Sequence, residues 1–143
     1  MSYVRVWIHA VWGTKHRDHL LVNGTRSQII SHILENAKQK EIYIDRLNGS
    51  ADHLHCLFGL NAEMTIAKAL QLIKGESAYW INKEKLTSVK FEWANEYYAV
   101  SVSESVLETV RAYIDNQEEH HKKRTYVEEV GEFLQKYNFS HHG

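Results

Sequence analysis

Asp52-His53-Leu54-His55-Cys56-Leu57-Phe58 sets two histidines around one aliphatic residue inside an apolar, strand-like run. A β-strand sends alternate side chains to opposite faces, so His53 and His55 point one way while Leu54, Cys56 and Phe58 point the other. One face belongs to a core. The other carries two imidazoles able to grip a metal ion, and a metal held on a sheet surface can polarise a phosphate.

Working outward, Asn48-Gly49 just before this run is a tight-turn pair, which predicts a hairpin with a strand over residues 42–47. Residues 3–12 alternate, with Val4, Val6, Ile8 and Ala10 on one side and Arg5, Trp7 and His9 on the other, as in a half-buried strand. Asn23-Gly24-Thr25 opens a helix over residues 23–41, striped by Ile29, Ile30, Ile33, Leu34 and Ala37. A second helix spans residues 65–83 with Ile66, Ala69, Leu70, Ile73 and Ser77 on one side, and residues 97–102 form a fourth strand. Ser103-Glu104-Ser105 starts another helix, continued by Val106, Val110, Tyr113, Ile114 and Gln117, and a last helix covers residues 125–137. The order βαββαβ followed by helices predicts an α+β, ferredoxin-like (RRM-like) sandwich with an antiparallel sheet, residues 1–143 forming a single domain. Helices would cover one sheet face. The face carrying Arg5, Trp7, His9, His53 and His55 would stay open for a ligand or partner.

The 143 residues suffice for one domain with a core, and 43% hydrophobic against 24% charged residues is an ordinary globular composition. A net charge of -1, from 17 basic and 18 acidic residues, argues against coating nucleic acid by bulk charge and leaves room for a local basic groove. A lone Cys56 excludes an intrachain disulfide and reads as a small buried hydrophobe. Arg5 and His9 interrupt the first apolar run, so neither a signal peptide nor a membrane span is expected, and the cytoplasm is the expected compartment.

Tyr113 and Gln117 share one face of the third helix, with His120 nearly in line. That face is polar where an amphipathic helix is normally apolar. One explanation is that the helix lies over the open sheet face, Gln117 completing the metal site through its amide oxygen and Tyr113 standing beside it as a nucleophile. A free phenol, with a pKa of roughly 10, needs such help at neutral pH, and a phosphotyrosine conserves the broken bond's energy so that strands rejoin without ATP.

The paired histidines followed by Tyr-x-x-x-Gln resemble the single-tyrosine HUH transposases of the IS200/IS605 insertion sequences. The resemblance also rests on His9-Ala10-Val11-Trp12-Gly13-Thr14-Lys15-His16-Arg17, on Asn48-Gly49 before the histidine strand, and on Ile73-Lys74 with Ser77 and Trp80. Tyr113-Ile114-Asp115-Asn116-Gln117-Glu118-Glu119-His120-His121-Lys122-Lys123 completes the set. The chain departs from the family at Glu96 and Tyr98, where members usually carry glycines around the Tyr that opens the fourth strand.

The resemblance implies that His53, His55 and Gln117 bind a divalent metal and that Tyr113 attacks DNA, joining the 5′ phosphate and releasing a 3′ hydroxyl. It implies single-stranded DNA hairpins at element ends as substrate. It also implies a homodimer in which one subunit's tyrosine helix can complete the other's histidine site. Mixed nitrogen and oxygen ligands suit Mn²⁺ and accept Mg²⁺. Candidate DNA contacts are Arg5, Trp7 and His9 on the open face, Lys15 and Arg17 after the first strand, Lys74, and His120, Lys122 and Lys123. Trp12, Tyr126 and Tyr137 read as packing residues. A domesticated hairpin endonuclease of the same chemistry and a non-catalytic single-strand binder are the alternative functions.

Overall fold

The computed structural model describes residues 3–117 and 125–136. Its elements are β1 (Trp7–Gly13), α1 (Asn23–Gln39), β2 (Tyr43–Gly49), β3 (His53–Gly59), α2 (Ile66–Lys83), β4 (Tyr98–Val102), α3 (Leu107–Asp115) and α4 (Tyr126–Lys136). The strands form one antiparallel sheet in the order β2-β3-β1-β4, so the expected ferredoxin-like βαββαβ arrangement is present. The histidine strand and its neighbour β1 are the two central strands.

One sheet face carries the main core. Ile8, Ala10 and Trp12 of β1 and Leu54, Cys56 and Phe58 of β3 pack against Ile29 and Ile33 of α1 and Leu70 and Ile73 of α2. Each large apolar side chain buried this completely contributes about 1.5–3 kcal/mol, which makes this layer the rigid platform for β3. Thr65 caps α2, its hydroxyl accepting from the Lys68 N–H at 3.0 Å. Among the described residues no helix is long and apolar enough to cross a membrane.

The second face is not open. Leu107, Val110 and Ile114 of α3 pack on Leu57 and Val102, with Trp7 and Tyr113 at the margin of this smaller cluster. α4 covers the sheet beside it, its Tyr126 ring lying against His53. β1 is therefore buried on both sides instead of half-buried, and His53 and His55 are fully buried. It also starts at Trp7, leaving Val4 and Val6 exposed. Val106 falls in the short 3₁₀ turn before α3 and is exposed; Leu107 takes the buried place expected for it.

Asn48-Gly49 is not the hairpin turn. Both residues end β2, paired with His55 and Leu54, and the turn is made by residues 50–52, with the Ser50 N–H donating to the His53 carbonyl at 3.0 Å. Their role is tertiary. The Asn48 side-chain amide donates to the Ile114 carbonyl at 2.9 Å and so caps the end of α3. A register shift between Ile44 and Arg46 leaves Asp45 outside the ladder. Arg111 of α3 takes its carboxylate with two bonds, Nε to Oδ2 at 2.7 Å and Nη2 to Oδ1 at 3.0 Å.

Candidate metal and tyrosine site

Strand alternation puts His53 and His55 on the face away from the main core, and each ring is fixed from behind. The Nδ1 of His53 lies 2.8 Å from Asp52 Oδ1 and 3.0 Å from the Ser50 hydroxyl. The Nδ1 of His55 lies 2.9 Å from Nε2 of His9, which is itself buried. Both Nε2 atoms then point to a common centre. Imidazoles that ligate metals are oriented in this way, one ring nitrogen held by an outer partner and the other directed at the ion.

α3 brings Tyr113 to this centre, its ring 5.4 Å from that of His55 and 6.1 Å from that of His9. The helix ends at Asp115, short of the expected Gln117, yet Gln117 two residues past that end still falls below Tyr113: it is fully buried, its Nε2 donating to Tyr113 O at 3.4 Å and to Glu129 at 3.3 Å. Its Oε1 is buried with no hydrogen-bond partner. A half-turn of the amide exchanges its oxygen and nitrogen, so the same side chain has an acceptor to offer a cation at the centre.

α4 contributes two residues one turn apart. The Tyr126 ring stacks on His53, with centroids 4.3 Å apart and planes at 16°. It fits because Gly13 has no side chain: a Cβ there would stand 2.7 Å from Tyr126 Cε2. Glu129 places its carboxylate between the imidazoles, Oε2 at 2.9 Å from His53 Nε2 and Oε1 at 2.7 Å from His55 Nε2. Oε1 also accepts from the Tyr113 hydroxyl.

The charges follow from these contacts. Burial opposes ionisation of Glu129, but the bonds to His53 and His55 outweigh it and hold the carboxyl well below the usual carboxylate range. Burial likewise opposes protonation of His53, yet its bonds to Asp52 and Glu129 raise its pKa. Tyr113 is pushed up, first by burial and then by Glu129, so its phenol is protonated and donates. The donor atoms of His53, His55 and Glu129 all lie within 4.8 Å of one another. With the Gln117 oxygen brought to them by that half-turn of the amide, two imidazole nitrogens and oxygen donors fit a divalent ion such as Mn²⁺ or Mg²⁺.

Sequence reasoning brings His53, His55, Tyr113 and Gln117 together as the structure places them, and it misses Glu129. Glu128-Glu129 in an amphipathic helix reads as solvated surface, and only its long-range position marks it out. Tyr126 packs, as expected, but it packs on a site residue.

The other candidates are scattered. Arg5 is exposed and bonded to Glu104 at 3.4 Å, and the Trp7 indole donates to the same carboxylate at 3.0 Å. His9 lies beneath the site, bonded to His55. Lys15 pairs with Glu92 at 3.3 Å, and Arg17 is exposed in the turn over Lys15–Arg17. Lys74 donates to the Ala94 and Asn95 carbonyls at 2.8 and 3.2 Å, and burial lowers its pKa. His120, Lys122 and Lys123, like Tyr137, lie outside the described residues.

A family model described as IS200-like transposase matches residues 2–117. Several solved structures share the fold, two of them as follows. One, from Deinococcus radiodurans R1 and assigned as a transposase, is 24% identical with a TM-score of 0.64, covering 82% of this chain and 95% of that one. The other, a REP-associated tyrosine transposase bound to a REP hairpin, is 16% identical with a TM-score of 0.55, covering 82% and 67%. No curated protein matches the chain. The family match stops at Gln117, so α4, with Tyr126 and Glu129, lies beyond it.

Proposed function

The chain belongs to the IS200-like transposase family, and from that premise we propose that it cleaves and rejoins single-stranded hairpin DNA through a covalent bond between Tyr113 and a 5′ phosphate. One observation carries the reading: a helix anchored on the sheet delivers a tyrosine and, just past its end, a buried amide with an orphaned oxygen, to two outward-braced imidazoles. A Mg²⁺ or Mn²⁺ ion held by His53, His55 and Gln117 would polarise the scissile phosphate.

The residues themselves do the rest. The Tyr113 oxygen attacks phosphorus, the bond to the 3′ oxygen breaks, and the phenol's proton balances the one gained by the departing 3′ hydroxyl. Asp52, Ser50 and His9 hold the imidazoles in their working orientation. The phosphotyrosine ester conserves the bond, so a second 3′ hydroxyl can reverse the step without ATP. The REP hairpin held by the similar structure supports a hairpin partner, and a homodimer is the assembly expected of such chains.

Incubation with labelled single-stranded hairpin oligonucleotides and Mn²⁺, followed by a denaturing gel, tests the assignment. Wild type should form a protein–DNA adduct, Tyr113→Phe none, and His53→Ala should lose cleavage while keeping hairpin binding. An adduct from Tyr113→Phe removes Tyr113 as the nucleophile.

A further inference from the structure

Glu129 stands outside the family-matched residues yet occupies the centre of the site. The residue is 4% exposed, and its carboxylate faces the Nε2 atoms that would bind the ion, at 2.9 and 2.7 Å. Neighbouring ligands of an octahedral ion with bonds of about 2.1 Å stand about 3.0 Å apart. Both observed separations are close to such a ligand-to-ligand edge. The placement is also braced: Tyr126, one turn earlier on α4, is stacked on His53 in the space that Gly13 leaves.

Charge points the same way. Two neutral imidazoles and an amide bring no negative charge, so a divalent cation buried among them would have its desolvation offset only in part. An anionic oxygen at the same centre offsets that penalty and supplies the hard donor that Mg²⁺ and Mn²⁺ favour.

We propose that Glu129 is a ligand of the divalent cation held by His53, His55 and Gln117, which makes α4 part of the metal centre. This rests on the metal-centre reading above. When the ion enters, the Nε2 protons that made the bonds to Glu129 are given up to solvent, the freed nitrogens and the carboxylate bind the cation, and α4 stays docked.

The test titrates the full chain with Mn²⁺, following the loss of the free-ion electron paramagnetic resonance signal, for wild type, His53→Ala and Glu129→Gln. The Gln variant keeps the shape and removes the charge, and it should bind Mn²⁺ about tenfold more weakly or worse. Affinity equal to wild type overturns the proposal; tighter affinity also overturns it, because the carboxylate would then be competing with the ion. If His53→Ala weakens binding and Glu129→Gln does not, only this proposal falls; if wild type binds no Mn²⁺, the metal-centre reading falls with it. Hydrogen exchange on wild type decides independently of any variant's folding. Mn²⁺ should slow exchange of the α4 amides, whereas unchanged or faster exchange means that Glu129 is not a ligand.

Discussion

Gly49 shows how a single backbone position carries this site. A Cβ there would lie 2.1 Å from the His53 carbonyl oxygen and 2.8 Å from Leu54 Cα, contacts that only backbone movement could relieve. Gly49→Ala should therefore cost about 2–3 kcal/mol and push His53 out of place. Urea denaturation reads the first effect, and a loss under about 0.5 kcal/mol would show that the β2–β3 end yields easily. The same dipeptide marks a limit of local reading. Asn-Gly signals a turn through its backbone preferences, but here Asn48 reaches a helix terminus and Gly49 admits a neighbouring strand. By contrast, the pairing of His53 with His55 was legible because strand alternation is a property of the backbone alone. Glu129 was not, since its meaning comes from His53, 76 positions away.

At the scale of elements, α3 needs exact seating, and three fastenings of different kinds provide it. Leu107, Val110 and Ile114 give the apolar stripe, Asn48 caps the end, and Arg111 grips Asp45. The helix and its polar Tyr113–Gln117 face were legible from the periodicity. Its docking partner on β2 was not, because the register shift that frees Asp45 has no signature in the residues. Arg111 sits two residues from Tyr113, so Arg111→Met keeps the packing of the side-chain stem while leaving Asp45, its side chain 6% exposed, with only the longer 3.5 Å contact to the Arg46 guanidinium. The expected outcome is a lower melting temperature and an adduct rate reduced on the order of tenfold or more, since small displacements of a nucleophile are costly. Hairpin affinity should change much less. If affinity and rate fall together, the arginine serves DNA binding and not the seating of α3.

At the scale of the whole molecule, the question is which chain supplies the tyrosine. The resemblance allows a helix exchanged between subunits, but here Tyr113 lies against His55 of its own chain, and Gln117 reaches the same Glu129 carboxylate that His53 and His55 hold. The connection explains this geometry. β4 ends at Val102 on the edge of the sheet and α3 begins at Leu107, so only residues 103–106 link them. The five steps from Val102 to Leu107 span at most about 18 Å when fully extended, and they are shortened further by the 3₁₀ turn over Glu104–Val106. That reach suits a return over the same sheet; crossing to a second chain would require its sheet to lie as close. The amino-acid order alone shows the elements and their faces, but this choice depends on edge position and linker reach together. Mixing His53→Ala with Tyr113→Phe chains discriminates the cases. Each lacks one half of the chemistry, so a site closed within one chain should give no adduct on hairpin DNA at any mixing ratio. Recovery of adduct toward the quarter to half of wild-type level expected from random pairing would show that α3 serves the partner's histidines, and that the arrangement within one chain is not the working one.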